Sequence, residues 1–123
     1  MGFGLYFREL RVKKGFTQAQ IAEAIGKTRM LVSGVETEKN GPFSECDLDK
    51  IAIALCLDDA EKKDLMYQAA CSKNTIPADL MTYLNGHRNA FLLFELMERN
   101  QMNNELVQKL LEYAEELSNA ENG

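Results

Sequence analysis

The stretch TQAQIAEAIGKTRMLVSGVE, Thr17 to Glu36, decides the fold through its punctuation. Thr17 is a natural N-cap, and Gln20 three residues on can reach back to it, a capping box followed at once by apolar Ile21 and Ala22. A helix therefore starts at about Gln18. It stops near Ile25, because Gly26 takes the left-handed conformation at almost no steric cost. Thr28 offers a second N-cap, and Leu31, Val32 and Val35 then bury one face of a second helix while Arg29, Met30, Ser33 and Gly34 lie largely off that face. The reading is a helix, a tight glycine turn and a helix.

The residues around this unit carry a resemblance. The run G-x-x-F-R-x-L-R-x-x-K-G-F-T-Q-x-x-I-A from Gly4 to Ala22 is followed by Gly26, Thr28, Val32, Ser33, Val35, Glu36 and Asn40-x-Pro42. With Leu48-x-x-Ile51-Ala52-x-Ala54-Leu55 it resembles the Cro/phage-repressor-type (XRE) helix-turn-helix family over roughly the first 57 to 70 residues. The resemblance implies an all-α fold: an N-terminal five-helix lambda-repressor-like DNA-binding domain over residues 1–71, and a C-terminal helical hairpin extension over 72–123. It also implies that the second motif helix enters the major groove of double-stranded DNA.

By the same resemblance, the base-reading positions fall on Thr28, Arg29, Met30, Ser33 and Gly34, with Gln18 near the phosphates. Lys27, Lys39 and Asn40 are candidates for the DNA backbone. Arg29 is the strongest reader on its own chemistry, since a guanidinium can bond both O6 and N7 of a guanine. Met30 suits a thymine methyl, Thr28 is primarily a cap, and Ser33 discriminates poorly. Arg11 and Glu36 match a structural ion pair that ties the motif to its scaffold. Five positions depart from the pattern. Gly34 stands where a long polar reader is common, Glu38 where glycine is, Lys27 where an apolar residue is preferred, Cys56 where a capping glycine is usual, and Ile53 where a polar residue is.

Composition sets bounds on the rest. The chain has 123 residues, 46% hydrophobic and 27% charged, with two prolines and no tryptophan. Apolar and polar residues rarely alternate, so almost no sheet is expected. No stretch approaches the ~18 consecutive apolar residues of a membrane span, and a cytoplasmic location is expected. The net charge is −5, yet residues 1–42 hold seven Lys/Arg against four Asp/Glu, while residues 58–123 hold six against twelve. The basic excess sits with the motif, as an electrostatic footprint for nucleic acid requires, and the acidic excess sits in the tail.

One histidine, His87, and cysteines 46, 56 and 71 at spacings of ten and fifteen provide no metal-ligand pattern. They are expected as reduced thiols, small core residues at helical spacing. No cofactor is implied. No phosphate-cradling glycine loop and no nucleophile beside a base point to catalysis, so an enzyme is not expected.

Along the chain, Gly4 to Lys14 reads as the first helix, with Leu5 or Phe7, Leu10 and Lys14 spaced along it. Ser44 caps a helix with Leu48, Ile51, Ala52 and Leu55 inward. Asp58 and Asp59 open another to about Cys71, with Leu65, Met66, Ala69 and Ala70 inward. Pro77 begins a further helix through Leu84. In the segment Asn89 to Arg99, Phe91, Leu92, Phe94, Leu96 and Met97 surround almost the whole circumference. A helix apolar on every side needs cover on every side, and a second copy of the chain is the economical cover. Asn103 caps a last helix to Leu117, expected to fold back on the 90–99 helix, and residues 118–123 are expected to fray.

These readings converge on a DNA-binding transcriptional regulator, a dimeric repressor on an inverted-repeat operator. The alternative is an antitoxin-like or adaptor module that binds another protein through its C-terminal helices. Gly34, Glu38 and the acidic tail favour that alternative, whereas Arg29, Gln18 and the intact caps oppose it.

Overall fold

The caps named above set the helix boundaries. The computed structural model describes residues 2–122, and among these every regular element is a helix. The order is α1 (Phe3–Lys13), α2 (Gln18–Ile25), α3 (Arg29–Glu36), α4 (Glu45–Ala54), α5 (Asp59–Lys73), α6 (Ala78–Asn85), α7 (Arg88–Arg99) and α8 (Asn104–Asn122). Thr17 Oγ1 accepts the Gln20 N–H at 3.1 Å while Gln20 Oε1 accepts the Thr17 N–H at 2.8 Å, which completes the capping box of α2. Asp58 and Glu61 form the same reciprocal pair at the start of α5, at 2.7 and 3.1 Å. Thr28 and Ser44 cap α3 and α4 with single bonds. Beyond Leu55, the C-cap of α4, Cys56 has φ 53, so this cysteine takes the left-handed conformation that a glycine adopts more cheaply.

The chain divides into two compact units, Met1–Leu80 and Met81–Gly123. In the first, α2 packs on α3 and α4, α1 on α3 and α5, and α4 on α5. Their shared core holds Phe7, Ile21, Ile25, Val32, Leu48, Ile51 and Leu65, all fully buried. Phe3 and Phe43 complete it, with Phe43 edge-on to Phe7 at a centroid distance of 4.9 Å. Burying such side chains contributes on the order of 2 kcal/mol each, so this cluster dominates what holds α3 in place. Of the two inward candidates on α1, Phe7 is the buried one and Leu5 is 44% exposed.

Between α1 and α5, Lys14 pairs with Glu61 at 2.8 Å. Burial, and then a hydrogen bond to Asp64, push the Tyr6 phenol well above its ordinary range. The expected core placement of the thiols is corrected, because Cys46, Cys56 and Cys71 are all exposed. The core positions of α4 and α5 are already filled by leucine, isoleucine and alanine.

In the second unit, Asn103 Oδ1 accepts the Leu106 N–H at 2.9 Å and caps α8. That helix continues through Asn122, past the expected end at Leu117, since residues 118–122 contain neither glycine nor proline to stop it; Gly123 lies outside the described residues. The apolar residues of α7 are open to solvent in the single chain, with Phe91, Leu92, Phe94 and Leu96 each close to half exposed and Met97 half-buried. Leu106, Leu111 and Leu117 of α8 are open likewise. No helix among the described residues is long and apolar enough to cross a membrane.

Candidate nucleic-acid interface

Helix α3 is a short rod whose inner edge is fixed by Val32 and Val35 in the core. Its C-terminal end is fixed by charge. Arg11 Nε donates to Glu36 Oε2 at 2.7 Å and its Nη2 to Oε1 at 3.0 Å, while Nη1 bonds the Phe16 carbonyl at 2.8 Å. The two side chains retain 11% and 3% of their accessible surface. The hydrogen bond to Glu36 holds the Arg11 guanidinium above its ordinary pKa, with charge attraction adding to it and burial opposing. The expected ion pair is therefore a bidentate, nearly dry clasp from α1 to α3.

Gln18 joins the clasp. Its Nε2 donates to Glu36 Oε1 at 3.1 Å, so the side chain expected near the phosphates is held by the C-terminal end of α3. Only half-buried, it still borders the surface at the start of α2.

The outer face of α3 points away from the core. Lys27, Thr28 and Arg29 are exposed at its N-terminal end, and Met30 is 82% exposed. Arg29 and Met30 thus form an exposed edge, and the N-terminal end of a helix favours an approaching anion. Ser33 follows one turn on, half-buried, and Thr37 continues the line with its hydroxyl donated to the Ser33 carbonyl at 2.9 Å. Thr37 escaped sequence reasoning, which placed it in the loop. The spacing of seven from Met30 is the signal that finds it.

Gly34 lies on the same face but is buried. A Cβ there would run into the side-chain amide of Asn40, whose Cγ would stand 3.0 Å away. The loop folds back over the end of α3, and the Asn40 N–H bonds the Gly34 carbonyl at 3.0 Å. Thr28, Met30, Ser33, Gly34, Thr37, Lys39 and Asn40 thus border one shallow concavity of about 500 Å³.

Glu38 has φ 64, which accounts for the glycine usual at that place in the resembled family. Its Oε1 accepts the Gly4 N–H at 3.0 Å at the start of α1. The carboxylate expected to repel a phosphate is thus bound to a helix N-terminus, where negative charge is favoured.

Compared with known families, residues 3–65 match the model of a helix-turn-helix domain. The chain belongs to the helix-turn-helix domain family. No curated protein and no solved structure matches it. The matched segment contains α1 to α4, the clasp and the whole concavity. The helix-turn-helix is the unit with which DNA-binding regulators dock a helix against a duplex.

Proposed function

We propose that this chain is a sequence-specific transcriptional regulator of the Cro/phage-repressor (XRE) type, a homodimeric repressor that binds an inverted-repeat operator. Residues 1–71 form its DNA-binding domain and residues 72–123 its dimerisation extension. Helix α3 of each copy enters the major groove of one half-site, and the half-sites lie about one helical turn, ~10 base pairs, apart. Arg29 reads a guanine, Met30 packs on a thymine methyl, and Lys27 and Lys39 contact the backbone. Repression follows from occupying a promoter, and no chemistry is required.

The observation that carries this reading is the exposed edge of α3, with Arg29 and Met30 turned outward while the clasp and core fix the helix behind them. The dimer rests on α7. Phe91, Leu92, Phe94, Leu96 and Met97 span its circumference, and a second copy supplies the cover that a single chain lacks.

That same surface favours a second reading, in which the C-terminal helices bind a different protein and DNA binding is weak. One experiment separates them: selection of retained duplexes from a random pool at two salt concentrations, with Arg29→Ala alongside. Enrichment of an inverted repeat that Arg29→Ala degrades supports the repressor. Salt-sensitive, sequence-blind retention, or none, sinks it and leaves the protein-binding module.

A further inference from the structure

We infer that Asn40, seated on Gly34, is a base-reading residue of this interface, with the adenine of an A·T pair as its target. The inference rests on the DNA-binding reading above and assigns it a second specificity contact.

Gly34 follows Met30 by four residues, so a side chain there would share the outward edge with Met30 and Ser33. The chain has none at that place. Its room is taken by the Asn40 carboxamide, which lies where the Cβ of any other residue would stand. The seat is fixed from below, because the Asn40 N–H is bonded to the Gly34 carbonyl, which also receives the Thr37 hydroxyl at 3.4 Å. Asn40 remains exposed and lines the concavity with Met30 and Ser33.

A carboxamide carries a donor and an acceptor side by side, the pair that matches N7 and N6 of adenine in the major groove. A lysine in that seat would bond a phosphate regardless of sequence; an asparagine held by its backbone presents a pattern. Gly34 lies five positions beyond Arg29 along the helix, a rise of roughly 7.5 Å. The adenine therefore lies within about two base-pair steps of the guanine that Arg29 reads, each step being ~3.4 Å along a strand.

The test measures affinities of the full chain for its selected duplex and for every single base-pair variant of it. The proteins are the wild type, Arg29→Ala, Asn40→Ala, Gly34→Ala and the Gly34→Ala/Asn40→Ala double variant, with thermal melts to confirm folding. Asn40→Ala is expected to flatten the preference for A·T at one position by about five- to 150-fold and to leave the other positions intact. Gly34→Ala is expected to flatten the same position, because its methyl unseats the amide, and the double variant to do no more than either single one. If Gly34→Ala fails to fold, the double variant, which has no amide to displace, still reports the same position.

Uniform weakening of all duplexes by Asn40→Ala with a shallower salt dependence would mean a phosphate contact and overturn the inference. Loss of preference at a G·C pair, or no change, would overturn it too. An Arg29-dependent operator that survives all of these leaves the function standing and this contact fallen. A wild type that selects no duplex brings both down.

Discussion

Replacing Arg11 with methionine should cost this protein much of its stability, and the clasp shows why. The substitution keeps an apolar stem of similar length but removes two charged donors from Glu36 and one from the Phe16 carbonyl. Glu36 then keeps a single neutral donor, Gln18, at 3.1 Å, with 3% of its side chain accessible to water. Stranding one member of a buried pair typically costs 3–5 kcal/mol, and the burial of Glu36 puts the expected loss at about 4 kcal/mol.

Glu36→Gln should cost less, about 2 kcal/mol, because Arg11 retains the Phe16 carbonyl and more access to water, and the amide oxygen still accepts. Exchanging both partners, Arg11→Met with Glu36→Leu, removes the stranded charge altogether. The double variant should lie within roughly 1 kcal/mol of the wild type. Against a total stability of about 5–15 kcal/mol, these differences separate readily in urea unfolding followed by far-ultraviolet circular dichroism. Hydrogen exchange of the α2 and α3 amides reports on the first unit alone. Losses below about 1 kcal/mol for both single variants would refute the argument, as would a double variant no more stable than Arg11→Met alone.

Three further outcomes test other parts of the account. Cys56→Gly should raise stability by about 0.5–1 kcal/mol, since φ 53 is strained for a side chain and the exposed thiol gives up no packing; a lower urea midpoint would contradict this. Gly4→Ala should cost roughly 1–3 kcal/mol, because its Cβ would meet the Val35 and Glu36 carbonyl oxygens at 2.5 and 2.6 Å where α1 crosses the end of α3, and an unchanged melting temperature would exclude that close approach.

The hydrogen bond from Lys14, the Asp58 backbone and nearby charge lower the Glu61 carboxyl below its ordinary pKa. The group therefore contributes stability above the normal carboxylate range and loses it as pH falls through the depressed value. A Glu61→Gln deficit that is small at neutral pH should vanish in acid, and one that grows in acid would reverse the sign.

What was legible in the sequence was local. Thr17 with Gln20, Thr28, Ser44, and Asp58 ahead of α5 announce their helices because a cap lies within three residues of the N–H it satisfies. The core faces of α2 to α5 follow from helical period. Phe43 was not legible, since it sits in a loop where no periodicity marks it, yet it is buried against Phe7. The partner of Glu38 lies 34 residues away at Gly4, and that of Gln18 is Glu36, 18 residues on. Nothing in local pattern announces such pairs. The cysteines misled for a related reason: helical spacing says which residues share a face, but not whether the face is covered.

The departures from the resembled family weigh differently once they are seen together. Taken singly, a glycine at a reader's place and a glutamate in the loop suggest a motif that has left DNA behind. In the fold they are one arrangement. Glu38 turns the chain left-handed at the end of α3, and its carboxylate is bound by the N-terminus of α1, so its charge is already engaged. The turn brings Asn40 back across α3, and the chain can come that close because residue 34 has no side chain. A larger residue at position 34 and the present loop exclude each other, so each substitution accounts for the other. The outward edge consequently keeps a polar group at the place where a side chain is missing, which is why Gly34 and Glu38 do not count against a DNA-reading role.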